Sequence, residues 1–509
     1  MKTSPNYILQ QKSHIKKRKV KKNKLQIKLI KITGLLILLL LIVLIVKTFN
    51  YKSKQVAYKL IKPVPISSHC IQHLSDAVKI KTISYDEPSK FDSAAFNNLI
   101  SFIQKTYPLS DSKLQKTIIN KFSLLYKWEG RDTSLKPIIL MGHMDVVPAD
   151  EENKKWDFQP FGGEITEEYI CGRGTLDDKV NVIGILEAVE MLLSENFKPS
   201  RTIYLAFGHD EEIGGENGAK KIAEYLEFQH VNAEFILDEG LVITRGVVPG
   251  LLPDVALIGV SEKGYLSVEL SVETEGGHSS MPAKETTIGI LSAAICKLEK
   301  YPMKPVISEP VQQFLDYVGP EMPFFLKLAF ANQWLLKSFI ISKYEASGSG
   351  NATVRTTTAP TIFKSGVKEN VMPSTATATI NFRILPGETF DDIITHIEKT
   401  VKDSRIKIKR IGHGNEAAKV SDIHSLGFMQ IEKTIKQVFK NTLTAPSLMI
   451  AGTDEKHYSK ISSNLFRFLP CVFNSDDLKR IHGVNEKIGI DNFKNCVRFY
   501  QLFILNTCE

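Results

Sequence analysis

Between residues 138 and 237, short aliphatic runs alternate with helical patterns, and each run ends on histidine or acid. Lys136-Pro137 leads into Ile138-Ile139-Leu140-Met141, which is followed by Gly142-His143-Met144-Asp145. The run 202–207 is followed by Gly208-His209-Asp210-Glu211-Glu212, and the run 234–237 by Asp238-Glu239-Gly240. Between them, 178–194 sets Val182, Ile183, Leu186, Val189 and Leu193 on one helical face, and 218–226 is helical too. Such alternation predicts an α/β sheet with parallel strands. Ligands in such sheets bind outside the carboxyl ends of the strands. The strand-end clusters should therefore meet in one crevice, joined by Gly172-Arg173-Gly174-Thr175-Leu176-Asp177-Asp178-Lys179, which opens the long helix.

The texture changes near Val255. Residues 255–272 are rich in β-branched side chains with a turn at Lys263-Gly264, and helical patterns run on to Lys343. Then come a strand at 376–384, a helix at 391–401 and a strand at 406–411. This predicts a separate α+β insert bounded at about 258 and 417. Beyond Ser425, helices and the apolar runs 447–451, 466–473 and 493–505 rejoin the first sheet. A chain of 509 residues suits two or three folded units. The apolar stretch 324–341 (Phe324, Phe325, Leu326, Leu328, Phe330, Trp334, Leu335, Leu336) reads as core or dimer contact, with the lining of a greasy pocket as the rival reading.

The net charge of +9 comes from the N-terminus. Residues 1–62 hold sixteen Lys or Arg and no acid, which leaves 49 basic against 56 acidic residues in the rest. The body is mildly acidic, so the basic whole is no argument for nucleic acid. Residues 32–46 (ITGLLILLLLIVLIV) are uncharged and flanked by Lys31 and Lys47. Snorkelling lysines let such a short run span a bilayer. No A-x-A-like cleavage site follows it. The eleven basic residues ahead of it place the N-terminus in the cytosol. The expected plan is a basic tail (1–31), a signal anchor (32–46), a stalk closed by Pro63 and Pro65 (47–65), a catalytic domain in two parts (66–258 and 418–509) and a lid or dimerisation insert (259–417). The body then lies outside the cell or in a vacuole- or lysosome-like lumen. The sequon Asn351-Ala352-Thr353 is compatible with glycosylation at Asn351. Six scattered cysteines form no C-x-x-C pair, which argues against a thiolate zinc knuckle and leaves room for one or two disulfides.

Carboxylates and imidazoles without thiolates suit catalytic zinc. His143 and Asp145 alternate on an extended segment, too close for two independent ligands. One ligand, His143, with Asp145 fixing its tautomer and basicity is the better use. Glu211 and Glu212 are neighbours that point apart, so one can hold metal while the other moves a proton. No H-E-x-x-H motif and no P-loop occur.

These segments together resemble the co-catalytic zinc amidohydrolases that include carboxypeptidase S, aminoacylase, carboxypeptidase G and succinyl-diaminopimelate desuccinylase. The nearest likeness is to the carboxypeptidase S branch and its relatives acting on N-fatty-acyl amino acids. The resemblance runs from about His143 to Ile488. It implies two Zn²⁺ per subunit. By this resemblance His143 ligates one zinc, Asp177 bridges both, and Glu212 and Asp238 are terminal ligands. The last ligand is His482, in Arg480-Ile481-His482-Gly483-Val484-Asn485-Glu486. Glu211 resembles the general base. His278, in Gly276-Gly277-His278-Ser279-Ser280, resembles an oxyanion-stabilising group often supplied by a partner subunit. Asn370 and Arg383 resemble groups that hold the scissile carbonyl and the substrate carboxylate, a task for which a bidentate guanidinium is suited.

His457, His209 and a Ser261–Lys263 pair receive no role in this reading. The implied fold is an α/β zinc-peptidase domain with a mixed, largely parallel sheet, interrupted by the α+β insert. The implied activity is that of a membrane-anchored metallocarboxypeptidase releasing a C-terminal amino acid from peptides. An N-acyl amino acid amidase or synthase is the alternative, and an inactive binding ectodomain ranks below both. The implied partners are the substrate, the membrane through one helix, and a second subunit through the lid, with no nucleic acid.

Overall fold

The run after Pro137 becomes a strand buried on both faces, Ile138 to Leu140 being wholly inaccessible. That is the pattern of a central strand covered by helices on either side. The structure, a computed structural model, describes residues 5–62, 64–152 and 155–509, with the side chains of 5–20 and 23 outside the described set. Residues 1–4 of the basic tail, and Pro63 of the stalk, lie outside the described residues. The chain divides into two units: the described residues up to Ser53 with Gly319–Ile340, and Lys54–Val318 with Ile341–Glu509.

The main helices are α1 (Pro5–Asn50), α2 (Lys179–Ser194), α3 (Ala219–Phe228), α4 (Thr287–Lys300), α5 (Phe324–Ala331), α6 (Gln333–Glu345), α7 (Phe390–Val401), α8 (Leu426–Val438) and α9 (Ile490–Cys508). The main strands are β1 (Gln115–Ile119), β2 (Ser123–Trp128), β3 (Ile138–His143), β4 (Ile203–Gly208), β5 (Phe235–Asp238), β6 (Ile243–Thr244), β7 (Asp254–Glu262), β8 (Gly264–Glu273), β9 (Thr357–Ser365), β10 (Thr375–Ile384), β11 (Lys407–Asn415), β12 (Thr442–Met449), β13 (Leu465–Arg467) and β14 (Val472–Phe473).

In the larger unit a mixed sheet runs β1-β2-β4-β3-β5-β13-β7-β6-β14, with β12 also on β7. Its centre, β4-β3-β5-β13, is parallel. The register pairs His143 with Gly208 and Asp238 with Arg467. The chemistry-bearing strand ends therefore lie side by side. α2 is buried along nearly its whole length, packed between β3 and α9.

A second, antiparallel sheet runs β9-β10-β8-β11. β10 alternates buried and less buried residues along its length, and Ala376, Ala378, Ile380, Phe382 and Ile384 meet Ile290 and Leu291 of α4 and Ile393 and Ile397 of α7. The first sheet continues past the expected boundary at 258: β7 leaves it only after Glu262. The crossing falls at Gly264, where a Cβ would meet the Asn415 oxygen and the Ala417 nitrogen at 2.6 Å. The chain returns beside its exit, since Ala418 N donates to the Glu262 carbonyl (2.9 Å).

In the smaller unit, Lys24–Asn50 of α1 is long and apolar enough to cross a membrane. α5 packs on α1. The stretch 324–341 differs from the core reading, because Phe324, Phe325, Trp334 and Leu335 are exposed. All six cysteines stand as free thiols, and only Cys296 is exposed.

Candidate active site and metal centre

His143 closes β3 and is 1% exposed. Its Nδ1 faces Asp145, 3.0 Å from the carbonyl and 3.2 Å from Oδ1. Its Nε2 faces Asp177 Oδ1 at 2.9 Å. Asp145 also accepts from the backbone N–H of Glu211 (3.2 Å) and Glu212 (3.1 Å). One wholly buried carboxylate thus orients both the imidazole and the segment carrying the paired glutamates.

Asp177 stands between two histidines: its Oδ2 is 3.0 Å from His482 Nε2. The same nitrogen is 3.2 Å from Glu212 Oε2, while Glu212 Oε1 accepts from Val147 N–H (3.1 Å). Two donor triplets result, His143–Asp177–Glu239 and Asp177–Glu212–His482, sharing Asp177. The third strand end differs from expectation here. Asp238, expected as a ligand, is in neither triplet; its neighbour Glu239 stands with His143 and Asp177, and Asp238 Oδ2 is buried without a hydrogen-bond partner. Asp238 is the last residue of β5 and turns back, its Oδ1 accepting from Glu239 N–H (2.9 Å). Adjacent acids at a strand end point to opposite sides, and sequence alone does not say which faces the crevice.

A buried carboxylate holds each flank in place. Asp178 N-caps α2, yet its Oδ2 makes no cap bond; it accepts from His143 N–H and Asn181 Nδ2 (both 3.1 Å). Tyr500 of α9 donates to Asn181 Oδ1. Glu486 is inaccessible; it pairs with Arg173, and its Oε1 accepts from Gly174 and Leu176 N–H (both 2.8 Å). It ties the Asp177 loop to the loop of His482. His482 itself has φ of 58°, a left-handed conformation uncommon for histidine. Arg173 Nη2 donates to the Gly483 carbonyl (2.9 Å), bracing that turn.

The electrostatics follow from burial and crowding. Burial pushes the His143 imidazole down, but the hydrogen bonds and charges of Asp145 and Asp177 outweigh it and hold it well above its ordinary value. Hydrogen bonds that its ring N–H donates to Asp177 and Glu212 carry His482 up to about 10. Burial raises Asp177, yet its two histidine partners bring it below the usual carboxylate range. Burial raises Glu211 well above the ordinary range, against His143 and with Asp454, Glu212 and Asp177 adding to it. Glu239 is raised by burial and by Asp177 and Asp178. Glu211 belongs to neither triplet. Asp454 is buried beneath this segment with both oxygens unpartnered; a Cβ on Gly215 (φ 73°) would collide with its Oδ1. At the end of β13, the inaccessible Arg467 pairs with Glu262 (3.1 Å) and Glu455 (2.9 Å).

None of the expected substrate groups is a member of a donor triplet. Short strands Gly277–His278 and Val371–Met372 pair, and Ser279 N–H donates to the Asn370 carbonyl (3.2 Å), which brings His278 and Asn370 together. His278 is exposed, its Nδ1 accepting from Ser280 N–H (3.1 Å). Arg383 lies on β10 with its guanidinium 4.8 Å from the Tyr265 ring centre. Asn351 is half-buried in the helix Gly348–Val354 and accepts from Arg355 Nε (3.0 Å). His209 donates to or accepts from Ser123 Oγ (2.6 Å), and His457 faces the Gly214 carbonyl (3.0 Å); neither joins a triplet.

Residues 139–506 match the family model described as Peptidase family M20/M25/M40. The chain is 43% identical to "Probable carboxypeptidase S-like 2" of Dictyostelium discoideum, over 91% of each protein. It is 40% identical to "N-fatty-acyl-amino acid synthase/hydrolase PM20D1" of Xenopus tropicalis (86% of this chain, 85% of the relative) and 31% to "Carboxypeptidase S" of Saccharomyces cerevisiae (86% and 84%). Among solved structures, the M20 metallo-carboxypeptidase Sso-CP2 of Sulfolobus solfataricus superposes with a TM-score of 0.62 at 18% identity, covering 86% of this chain and all but 1% of that one. The dinuclear metal-binding peptidase YXEP of Bacillus subtilis does so at 0.55 and 13%, covering 87% and 99%.

Proposed function

Because the chain belongs to peptidase family M20/M25/M40, we propose that it is a zinc metallocarboxypeptidase of the carboxypeptidase S kind, releasing a C-terminal amino acid from peptides. It is a metal-dependent peptidase or amidohydrolase with an α/β fold and a mixed sheet. The observation that carries the zinc reading is Asp177, each of whose oxygens faces a histidine nitrogen, with a further carboxylate in each triplet. This donor set suits two Zn²⁺: His143, Glu239 and the shared Asp177 on one side, His482, Glu212 and Asp177 on the other. Two dications against three carboxylates leave one positive charge, which an anionic transition state neutralises.

When bound, such a pair polarises an amide carbonyl and makes an attacking water acidic. The remaining steps belong to the chain. Glu211 accepts the proton of the attacking water and passes it to the departing nitrogen. Asp145 fixes the His143 ring and the backbone of Glu211. Arg383 and Asn370 hold the substrate's carboxylate and carbonyl. His278, exposed in its own subunit, serves the oxyanion of a second subunit, with residues 259–417 acting as lid and dimerisation domain between the two catalytic parts. α1 anchors the body to the membrane, N-terminus in the cytosol, with the catalytic part lumenal or extracellular and Asn351 glycosylated.

The likeness to an N-fatty-acyl-amino acid synthase/hydrolase favours a second reading, cleavage or formation of N-acyl amino acids by the same residues. Assay of the purified protein on blocked dipeptides and fatty-acyl amino acids side by side decides between them. In either assay Glu211→Gln should retain metal and lose turnover by about 10²–10⁴-fold. A variant that kept most of its activity would remove Glu211 from the base's role.

A further inference from the structure

The smaller unit holds an apolar surface that no described residue covers. α5 and α6 meet in a sharp elbow, their axes bent by 117°. Phe325 is 84% exposed and Trp334 56%, with Phe324 and Leu335 close to half. Aromatic side chains so exposed leave apolar area in water that burial would remove. Their position decides what covers them. Asn332, buried at the elbow, donates from Nδ2 to the Leu44 carbonyl (3.1 Å) and to Thr48 Oγ1 (3.3 Å) of α1. Lys47 lies 5.3 Å from the centre of the Trp334 ring. Leu44 and Thr48 are buried, whereas most large apolar residues of α1 from Leu25 to Val46 are exposed.

The apolar run of α1 ends at Val46, before Lys47. If α1 spans the bilayer, its hydrocarbon-to-headgroup border falls at about this turn, since ~18 helical residues cover ~27 Å of a core about 30 Å thick. The elbow is fixed to that same turn. Phe, Trp and Leu projecting at the border, with Lys327 and Lys337 on the same two helices, match the composition of an interfacial helix.

We propose that the α5–α6 elbow inserts into the outer or lumenal leaflet of the bilayer crossed by α1, so that the protein grips its membrane with a spanning helix and a shallow aromatic wedge. The occupant of the apolar face is phospholipid. This rests on the reading of α1 as a membrane anchor.

The test uses the full chain reconstituted into phosphatidylcholine vesicles whose acyl chains are brominated either near the headgroup or near the methyl end. Trp334 is one of three tryptophans. Headgroup-proximal bromine should quench an emission component, up to the share of one indole in three, that Trp334→Phe lacks. Stronger quenching by methyl-end bromine would mean a deeply buried, broken span and would overturn the wedge, as would no quenching of that component. A second measurement avoids tryptophan. On a Cys296→Ser background, a nitroxide at Phe325→Cys should collide several-fold more with oxygen than with a water-soluble nickel chelate. At Leu252→Cys, fully exposed in the larger unit, the order should reverse. A label at 325 shielded from both agents, with dipolar broadening, would identify a second copy as the occupant and overturn the proposal. Alkaline carbonate separates the two failures. A chain stripped from vesicles has no spanning α1, and both readings fall. A chain that resists extraction while Trp334 stays unquenched keeps its anchor and loses the wedge.

Discussion

At the residue scale the site turns on which of two neighbouring acids faces the crevice. Glu239 stands with His143 and Asp177, whereas Asp238 folds back on its own strand end. Glu239→Gln should therefore lower metal content by about one ion per chain, and Asp238→Asn should leave it unchanged; elemental analysis of both variants checks this. Loss of metal from Asp238→Asn alone would reverse the assignment. The histidines make a pH prediction. His482 is carried up to about 10 by Asp177 and Glu212, so at neutral pH the metal-free imidazole keeps its proton. This interaction stabilises the metal-free fold below the ordinary histidine value and is lost as pH rises through about 10. A ligand must lose its proton to bind. Metal loading near pH 7 should thus release protons, and metal affinity should rise with pH over that range. Calorimetric titration in buffers of different ionisation enthalpy measures the release; a proton count of zero would contradict the His482 geometry. The sequence pointed to His143, Asp177, Glu212 and His482 because each falls beside a strand end or in a motif. It did not point to Glu239, Asp178 or Asp454, because burial and direction decide their use, and neither is visible in a string of adjacent acids.

At the element scale, the continuous aliphatic runs placed β3, β4 and β5 within a residue or two of where they form, since a strand buried on both faces leaves no polar residue to mislead. The extent of α2 was equally legible, although it is buried on nearly all sides rather than along the one face its pattern marks. For β7 the run marked the break at Lys263-Gly264, where β7 ends and β8 begins, but not that the chain there passes from one sheet to the next, because that constraint is the close backbone of Asn415–Ala417, distant in sequence. The short strand β13 shows the same limit. Its Arg467 is wholly buried between Glu262 and Glu455, elements far apart along the chain. Arg467→Leu would leave two buried carboxylates without their cation. It should cost about 3–5 kcal/mol of stability, read as a lowered denaturation midpoint. A midpoint equal to that of the unaltered protein would show that the network contributes little. Glu486 acts between loops in the same manner, and its pairing with Arg173 is what lets His482 and Asp177 arrive together.

At the scale of the whole molecule, charge and apolarity are separated along the chain: a basic tail and an apolar helix precede a mildly acidic catalytic body. Composition alone would have suggested a basic protein seeking acidic partners. With the tail set aside, the body carries 49 basic against 56 acidic residues, which removes that inference. The family match covers the body and begins at residue 139, beyond α1. The proposed anchor therefore rests on the chain's own apolar run, and the proposed chemistry on the five donors grouped about Asp177. Both readings of the substrate, peptide or N-acyl amino acid, pass through those donors. The central claim is that they hold a metal pair, and zinc content tests it most directly. Elemental analysis of the purified, full-length protein should find two zinc ions per chain, with activity lost on chelation and restored by zinc. A protein that hydrolyses its substrate at full rate with no bound metal would contradict the account.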